Sequence, residues 1–570
     1  MAKKLQGALD DSLSDLKIID FSGGLNTMEG ALSLSSSETP DCQNVLGFPG
    51  RLLYVGGTTL DTALPSHYQG DGGTQFYDAN NAKHLIGWAN GNMYDLVNGI
   101  LLLIRPLIYT PGQNIGHTIL NSTLYWCTAS VPMRYYDGST EGPVISSGAT
   151  GSVDIPAGTC MCTYAGSIII GNPNIAGVLN AGAIIPSNVN DPTTFLGANE
   201  TTLGNSNSIQ ALIPMSVEAG GIPPTSSIMC VGEVGLVLAQ GSTNAFKLQN
   251  INYPIGCTDG NSAVYIPTGD ILGNVVYLGT DNQFHESNGI TTKLISSKIL
   301  NLMNALVSNA VVTNPAQRFF ATYNKRYHYY LCDMGNDVQM IYKWTIMADG
   351  STKAGFFKVS GWPSGVYFGG TTGAGLPTNY VIANGTDTAG LYEVGVDGSN
   401  FNGVQPVIYY NTPYMHANDV SIMKEWQWVN LTFNNQQPVQ YVLSPTGLTN
   451  AANVIIAGNP ITFQAPQNSA TAGASVWDQA TWDVNVWGNI PNLPLQTPAI
   501  ASKMLSATAK DALGNTVNMP LRSSAITVNI AWQARNPNSV ASFDITNLGL
   551  RYKGMGHYMT GGSTGSAEAA

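Results

Sequence analysis

Short apolar runs of four to six residues recur along the first 400 positions, and each is broken by a turn-forming pair. Two such runs, at 84–89 and 92–97, flank Asn90-Gly91. Asn-Gly in a two-residue connection indicates a β-hairpin, because both residues tolerate a positive φ. The arrangement returns around Asn121-Ser122 and Ala165-Gly166. The pattern therefore predicts a series of antiparallel hairpins.

Later copies of this pattern contain a third strand. Runs at 263–266, 275–278 and 283–286 form one group, and runs at 318–323, 326–331 and 338–344 form another. Three- to four-stranded meanders that repeat roughly every 40 to 50 residues are typical of propeller blades. The last copy is at 380–383 and 391–394. We predict that residues 61–400 form a β-propeller of six to seven blades.

One helix is predicted within the propeller. Its apolar residues, from Ile295 to Leu306, recur at the spacing of a single helix face, with Ser296 or Ser297 as the N-cap. We interpret it as a helix packed against a blade, in preference to a lid over an active site.

The pattern changes beyond residue 400, where apolar and polar residues alternate over longer stretches. These stretches lie at 407–410, 426–433, 526–532 and 543–548. Alternation with a period of two indicates sheets that have one solvated face. Residues 401–560 are therefore predicted to form a β-sandwich-like domain, which makes the whole fold all-β. Residues 1–60 are an N-terminal arm leading into the propeller, and 561–570 are a flexible tail.

Three tryptophans within the second domain are the candidate partner-contact residues. Trp477, Trp482 and Trp487 are five residues apart in a segment rich in Pro, Asn and Gly. This spacing fits neither a strand face nor a helix face. They either anchor the segment onto the domain, since Trp is usually well buried, or form a patch that contacts a partner, since Trp is enriched at interface hot spots.

Charge is scarce in this sequence. Only 10% of the residues are charged, with a net charge of -12, beside 63 Gly and 26 Tyr. Such a composition suits short strands and tight turns, and it argues against helical bundles and disorder. The absence of a basic stretch disfavours tight nucleic-acid binding. The composition is compatible with an acidic surface past which DNA slides.

The cysteines and the apolar runs bear on the cellular compartment. Seven Cys, spread from Cys42 to Cys332, do not form a disulfide framework and suit synthesis in a reducing cytoplasm. Cys160 and Cys162 are interpreted as buried apolar side chains in preference to metal ligands. The N-terminus lacks the apolar core of a signal peptide. The run at 100–104 is far shorter than the roughly 20 residues that cross a bilayer, so no membrane insertion is expected.

Motifs that carry chemistry are scarce. The seven His have no chelating spacing, and neither a Gly-x-Ser-x-Gly elbow nor a phosphate-binding loop is present. The pairs Asp71-Gly72, Asp137-Gly138 and Asp397-Gly398 are predicted turns. We therefore assign no catalytic, cofactor or metal residues and expect no enzyme activity. A carbohydrate-binding or glycoside-hydrolysing propeller stays the alternative, because paired carboxylates need not be neighbours in the chain.

The segment before the propeller carries a resemblance. Residues 18–27 read Ile-Ile-Asp-Phe-Ser-Gly-Gly-Leu-Asn-Thr and are followed by 38–45 and by Gly50-Arg51. We predict an extended stretch, a Gly-Gly turn, a short helix capped by Ser36 or Ser37, and a first strand. This order resembles the start of the tail-tube nozzle or hub proteins of short-tailed (podovirus-type) bacteriophages, in which the segment leads into a β-propeller.

Further short segments resemble the same family, and they occur in the same order along the chain. They are 184–187, 191–195, 254–257, 262–264, 277–279, 281–283, 288–289 and 295–296. The resemblance therefore covers most of residues 18–400. The chain departs from the family where Arg-Pro-Gly is expected, since it has Arg51-Leu52-Leu53.

The resemblance implies a structural component of the virion tail that is made in the host cytoplasm. Copies of the chain, as a hexamer, would form a ring below the portal and adaptor. The ring would provide the exit channel for viral DNA, without sequence-specific binding. It would also carry a docking surface for a tail needle, fibre or tailspike protein, and the family implies no cofactor.

Overall fold

The computed structural model describes most of the chain. The described residues are 13–30, 32–64, 70–97, 100–204, 208–217, 225–267, 272–346, 351–384, 390–397, 399–401, 403–417, 422–433, 440–449, 454–464, 499–510, 515–533 and 544–557. They divide into two compact units. The propeller unit comprises 57–343 and 359–397, and the second unit comprises 1–56, 344–358 and 398–570.

Seven antiparallel sheets among the described residues, six with four strands and one with five, confirm the predicted propeller and fix its blade number at the upper value. The residues 344–358, which include most of the outermost strand of the sixth sheet, are grouped with the second unit. We number the blades 1 to 7 along the chain, each from its innermost strand outward. The strands of blade 1 are Gly70–Tyr77, Lys83–Ala89, Asn92–Val97 and Ile100–Arg105; those of blade 2 are Gly116–Leu120, Thr123–Cys127, Arg134–Tyr136 and Glu141–Pro143; those of blade 3 are Cys160–Tyr164, Ser167–Gly171, Ala183–Asn188 and Asp191–Phe195.

The remaining blades continue the pattern. The strands of blade 4 are Ile209–Val217, Thr225–Gly232, Leu236–Ser242 and Ala245–Ile251; those of blade 5 are Val264–Pro267, Gly273–Leu278, Phe284–Ser287 and Thr292–Leu294; those of blade 6 are Ala321–Asn324, Tyr329–Asp333, Val338–Ile346 and Thr352–Ser360; those of blade 7 are Gly365–Thr371, Pro377–Ala383, Gly390–Val396 and Gly57–Ala63. Blade 3 also carries a small hairpin, Asn174–Ile175 with Val178–Leu179, and a short strand, Thr201–Thr202, that pairs with Ala183–Asn188.

Blade 7 takes its outermost strand from the chain that precedes blade 1. Gly57–Ala63 pairs antiparallel with Gly390–Val396, and Thr62 lies opposite Leu391. The innermost strands of blades 7 and 1 contact each other, so the ring of blades is closed. The propeller therefore begins at Gly57, inside the N-terminal arm of 1–60 that the sequence predicts, and the rest of that arm clusters with the C-terminal residues.

The turns within the blades follow the sequence closely. Asn90 and Gly91 have φ of 50° and 80°, and Ala165 and Gly166 have φ of 49° and 77°. Each pair joins the strands that the apolar pattern predicts. Positive φ at both positions matches the twist of the flanking strands, which is why these hairpins are visible in the sequence.

The predicted helix is present between blades 5 and 6, but the prediction of its N-cap residue is wrong. The α-helix Leu300–Thr313 follows the 3₁₀ turn Ser297–Ile299 and buries Met303, Val307 and Ala310. The Ser296 hydroxyl does not cap it, because it accepts from the backbone N–H of Phe284 and donates to Gln283 Oε1. Two further 3₁₀ turns are Gly197–Asn199 and Gly260–Ser262.

The short helix predicted after Ser36 or Ser37 is wrong. Glu38–Thr39 is instead a short strand that pairs in parallel with Gly24–Leu25. The Glu38 carboxylate accepts from the backbone N–H of Ser35 at 3.0 Å and from Asn26 Nδ2 at 3.3 Å. These donors lie in the surrounding loops, so the carboxylate has no need of the free amides of a helix terminus.

The second unit contains two antiparallel sheets, as predicted for a β-sandwich-like domain. The eight-stranded sheet comprises Ser506–Lys510, Thr516–Ser523, Ile422–Phe433, Asp544–His557, Arg51–Tyr54 and Val45–Phe48 in spatial order, with Ser14–Ile18 beside Asp544–His557 and Ala499–Met504 beside Ile422–Phe433. The six-stranded sheet comprises Cys42–Gln43, Tyr409–Asn411, Ala525–Gln533, Gln440–Thr449 and Val454–Ala457, with Ile461–Gln464 beside Gln440–Thr449.

Large buried side chains fill the interior of this unit. Trp426, in the eight-stranded sheet, is fully buried and donates from Nε1 to Ser523 Oγ at 2.9 Å. Tyr441, in the six-stranded sheet, is also buried, and its hydroxyl accepts from the backbone N–H of Asp544. This bond joins the two sheets, and both tyrosine and tryptophan satisfy their polar atoms inside the core.

Candidate functional site

A cavity of about 350 Å³ lies on the propeller axis. Every blade contributes to its wall from its innermost strand or the residue just before it. Examples from blades 1 to 7 are Thr74, His117, Met161, Leu212, Ala263, Ala321 and Phe368. The lining includes neither Trp nor any Asp, Glu, Lys or Arg among the described residues. The cavity is therefore neutral and lacks the carboxylate pair of a glycoside hydrolase.

A polar network crosses the axis at the end where the innermost strands begin. Arg318, just before blade 6, donates from Nη2 to Asn114 Oδ1 at 2.6 Å and from Nη1 to the Gln113 carbonyl at 3.2 Å. Asn114 lies just before blade 2, which is three blades further around the ring. Asn261, before blade 5, also reaches Asn114 Oδ1, at 3.4 Å. These side chains therefore span the propeller from one side to the other.

The buried carboxylate of Asp71 anchors this network. Arg318 Nη1 lies 3.5 Å from Asp71 Oδ1, while the Tyr109 hydroxyl and the backbone N–H of Gly112 each donate to the carboxylate at 2.8 Å. Burial raises the pKa of Asp71, and these donors with the nearby guanidinium act in the opposite direction. The predicted turn at Asp71-Gly72 is wrong, because both residues lie within the innermost strand of blade 1.

The network extends to Asp259 but leaves no group free to react. The Asp259 carboxylate accepts from the backbone N–H groups of Phe319 and Asn261. Each carboxylate is thus held by backbone or side-chain donors. The arrangement ties blades together and closes the axis, and it presents no nucleophile beside an accessible base.

Two buried histidines each contact an aspartate and a tyrosine. His84 Nδ1 lies 2.6 Å from Asp95 Oδ2, which also accepts from the Tyr136 hydroxyl at 2.8 Å. In blade 5, His285 Nε2 lies 2.8 Å from Asp281 Oδ1, and its Nδ1 lies 2.7 Å from the Tyr253 hydroxyl.

Both histidines are strand residues, as the sequence indicates, but their partners could not be inferred from it. Asp95 is eleven positions from His84 and on the adjacent strand. His84 Nε2 is buried and makes no hydrogen bond, although Asp78 Oδ2 lies 3.7 Å from it. It cannot reach a substrate, so we interpret the group as part of the packing between strands, where Phe76 stacks on the imidazole at 4.8 Å.

The cysteines are buried, as predicted. All seven are free thiols inside the protein. Burial raises the pKa of Cys42 and Cys160 to about 12. Within the described part of the chain, no group of three or more His, Cys, Asp or Glu side chains could hold a metal ion. The same part has no helix long and apolar enough to cross a membrane.

The candidate partner-contact residues Trp477, Trp482 and Trp487 lie outside the described residues. Both interpretations of them stay predictions. The side chains that the structure does bring together, around Arg318 and Asp71, are far apart in the chain. Arg318 has no local motif, and Asp71 resembles a turn residue, so the sequence gives no signal of their contact.

Comparison with known proteins gives no family. No family model matches the sequence, and no curated protein matches it. Several solved structures match this chain at low similarity. The mitotic checkpoint complex has a TM-score of 0.38 at 12% identity, covering 60% of this chain and 93% of that chain. The WD40 propeller domain of Doa1 has a TM-score of 0.32 at 9% identity, covering 59% and 96%.

An exo-β-1,3-galactanase from Phanerochaete chrysosporium is a third example. Its TM-score is 0.24 at 10% identity, covering 87% of this chain and 100% of that chain. These likenesses carry no argument about function. The fold itself follows from the seven closed sheets described above.

Proposed function

We propose that this chain is a structural protein of a bacteriophage tail, in which copies form the nozzle or hub ring below the portal and adaptor. The observation that carries the proposal is the junction at Gly57. The segment that resembles the phage family leads directly into the strand Gly57–Ala63, which closes a seven-bladed propeller. The resemblance implies this order of segment and propeller.

The closed axis supports a mechanical role for each propeller. Hydrogen bonds from Arg318 and Asn261 cross one end of the axis, and the cavity behind them is neutral. A cavity of about 350 Å³ cannot admit duplex DNA, whose major groove alone is about 12 Å wide. The exit channel would therefore lie between copies of the chain, with each propeller serving as a rigid strut.

The charge of the chain is consistent with a channel wall. Its net charge is -12, and only 23 of its residues are Lys or Arg. Phosphate binding needs clustered cations, so such a wall repels the duplex and lets it pass without sequence-specific contacts. The ring is expected to be a hexamer that contacts the portal and adaptor on one side and a needle, fibre or tailspike protein on the other.

Electron microscopy of the intact particle tests this proposal. We expect a ring of copies at the tail, with subunit interfaces that each bury more than about 1,000 Å². Antibodies against this chain should label the tail tip. A chain absent from purified particles, or a chain that is monomeric in them, would refute it.

The carbohydrate alternative lacks a supporting observation. It needs clustered Asp, Glu and Trp in a funnel, and the described lining of the axial cavity has none of these residues. A glycan array with the purified chain is the direct test. Specific oligosaccharide binding would favour the alternative over the structural role.

A further inference from the structure

The outermost strand of blade 1 is the most apolar of the seven outermost strands. It is Ile100–Arg105, and the first five of its residues are Ile or Leu. It pairs with Asn92–Val97 on one side and with no other strand among the described residues. Its free edge therefore presents backbone N–H and C=O groups beside a run of apolar side chains.

Apolar side chains of this strand are exposed on both of its faces. Ile100, Leu102 and Leu103 are 62%, 45% and 54% exposed. Leu102 and Leu103 are neighbours in the strand, so their side chains point to opposite faces of the blade. Leu101 and Ile104 are half-buried and pack on the hydrophobic cores. All five belong to one continuous stretch of strand, so the exposed side chains border a single edge.

The other outermost strands carry features that prevent unwanted pairing. Proteins protect a strand edge with proline, with charged side chains or by keeping the strand short. All seven outermost strands lie within the described residues, and those of blades 2 and 5 have three residues each. The proline and charged residues from blade 2 to blade 7 include Pro143, Pro192, Lys247, Lys293, Lys353 and Asp61. The edge of blade 1 has no such residue before its last position, Arg105.

We infer that this edge is covered by the same strand of a second copy of the chain, in an antiparallel pair related by a two-fold axis. Such a pair extends the sheet of blade 1 into the other copy and satisfies the free backbone groups of both strands. A different partner is selected by complementary charge or polar contacts. Residues 100–104 offer none of these, whereas a second copy brings the same uncharged strand.

The order of residues suits pairing of the strand with itself. Directly opposite residues share a face of the sheet, which allows the axis to pass beside Leu102 or beside Leu101. Beside Leu102, it places Leu101 opposite Leu103 of the second copy and Ile100 opposite Ile104. Beside Leu101, it places Ile100 opposite Leu102 and keeps the pair within 100–103, which avoids the β-bulge at Ile104. Residues 100–104 meet uncharged residues in both registers.

The charge at the end of the strand does not oppose this contact. Arg105 Nε lies 3.4 Å from Glu141 Oε2 of blade 2. At about 3.4 Å per residue, the two copies of Arg105 would be at least about 20 Å apart, more than twice the screening length in physiological salt. The net charge of -12 on each copy does oppose association. Added salt should therefore strengthen the pair.

The pair goes beyond the proposed tail function and does not rest on it. Neighbours in a cyclic ring are related by rotation about the ring axis and not by a two-fold axis between them. The two-fold pair is therefore a form of the chain outside the ring. Strands this short make a small interface, so we expect a weak and reversible dimer.

Sedimentation of the purified full chain at increasing concentration tests this inference. We expect a monomer–dimer equilibrium that Leu102→Lys weakens at least about tenfold, because a lysine on an edge strand blocks pairing. Leu248→Lys is the matched control, since Leu248 is a 38% exposed leucine in the outermost strand of blade 4. It should leave the equilibrium unchanged. Thermal unfolding checks that both variants fold.

Cross-linking locates the two-fold axis. All seven native cysteines are buried, so an introduced surface cysteine reports on its own position. Leu102→Cys should form a disulfide between copies if the axis passes beside Leu102. A mixture of Ile100→Cys and Leu102→Cys chains should form it if the axis passes beside Leu101. Gln249→Cys, at an exposed position of the blade 4 outermost strand, should form none.

Three results would overturn the inference. They are a chain that stays monomeric at every concentration, association that Leu102→Lys leaves unchanged, and a larger oligomer that the same substitution dissociates. The last would show that the strand contacts a different surface of the second copy. The two proposals fail separately: a dimer that is absent from phage particles refutes the nozzle alone, and a ring built from a chain that is monomeric when purified refutes the pairing alone.

Discussion

Asp333 accepts the backbone N–H of Gly365 at 2.9 Å, a bond that joins the second strand of blade 6 to the first strand of blade 7. The carboxylate also accepts from the backbone N–H of Gly335, from Gln339 Nε2 and from the Ser364 hydroxyl. It is buried, and burial raises its pKa to about 7. A buried acid that titrates near neutral pH links the stability of this blade junction to pH.

Stability should rise as the pH is lowered through 7. The folded pKa of Asp333 lies above that of the unfolded chain, about 3.9, so the folded state binds the proton more tightly between these values. The contribution is on the order of 4 kcal/mol in favour of folding at pH 4 relative to pH 8. Urea denaturation of the wild type and of Asp333→Asn at pH 8, 7, 6 and 5 measures it. The wild type should gain stability relative to the variant as the pH falls, and parallel curves would contradict the prediction.

Arg318→Ala should destabilise the propeller by about 2–4 kcal/mol. The substitution leaves the carboxylate of Asp71 buried without its cation. Arg318→Lys should recover part of the loss, because it restores the charge but not the two-sided contact with Asp71 and Asn114. Thermal unfolding gives the stability. Hydrogen exchange at 70–77 and 116–120 reports opening at the axis, and an unchanged exchange rate would show that Arg318 does not tie these strands.

Gly73→Ala should cost about 1–3 kcal/mol through overpacking. A Cβ at Gly73 would lie 2.5 Å from Phe368 Cδ1, at the contact between the innermost strands of blades 1 and 7. Gly373→Ala is the matched control, since a Cβ there meets nothing within 4 Å. Thermal unfolding of the two variants should separate them. Equal melting temperatures would mean that the Phe368 ring moves aside at no cost.

Thr62→Pro should open the ring at its closure. Thr62 lies opposite Leu391 in the strand pair that completes blade 7, and proline there removes a backbone donor and restricts φ in this outermost strand. We expect a loss of stability and new proteolytic cleavage near residues 390–396. Cleavage and melting identical to those of the wild type would show that the strand does not hold the ring closed.

The native thiols should be inert. All seven cysteines are buried, and the pKa of Cys42 and Cys160 is about 12, so the reactive thiolate is nearly absent near neutral pH. A thiol reagent at pH 8 should modify less than one cysteine per chain until denaturant is added. Fast modification of several residues in the native chain would contradict this burial.

Local chemistry made much of the fold predictable. Asn90-Gly91 predicts its hairpin because positive φ favours Asn and Gly, whereas in Ala165-Gly166 only the glycine gives that signal. The short helix predicted after Ser36 is absent, since the Glu38 carboxylate accepts from Ser35 and Asn26 in the surrounding loops and Glu38 itself pairs as a short strand. Partners that meet only in the folded ring were invisible: Arg318 with Asp71, and Gly57–Ala63 with Gly390–Val396.

The closing strand has a consequence for biosynthesis. Thr62 leaves the ribosome long before Leu391, so the first propeller strand to be made waits unpaired while every blade is translated. An exposed strand edge of this kind invites pairing with other nascent chains. Production of the intact protein should therefore depend on slow, chaperone-assisted completion of the ring, and chains truncated before residue 390 should aggregate.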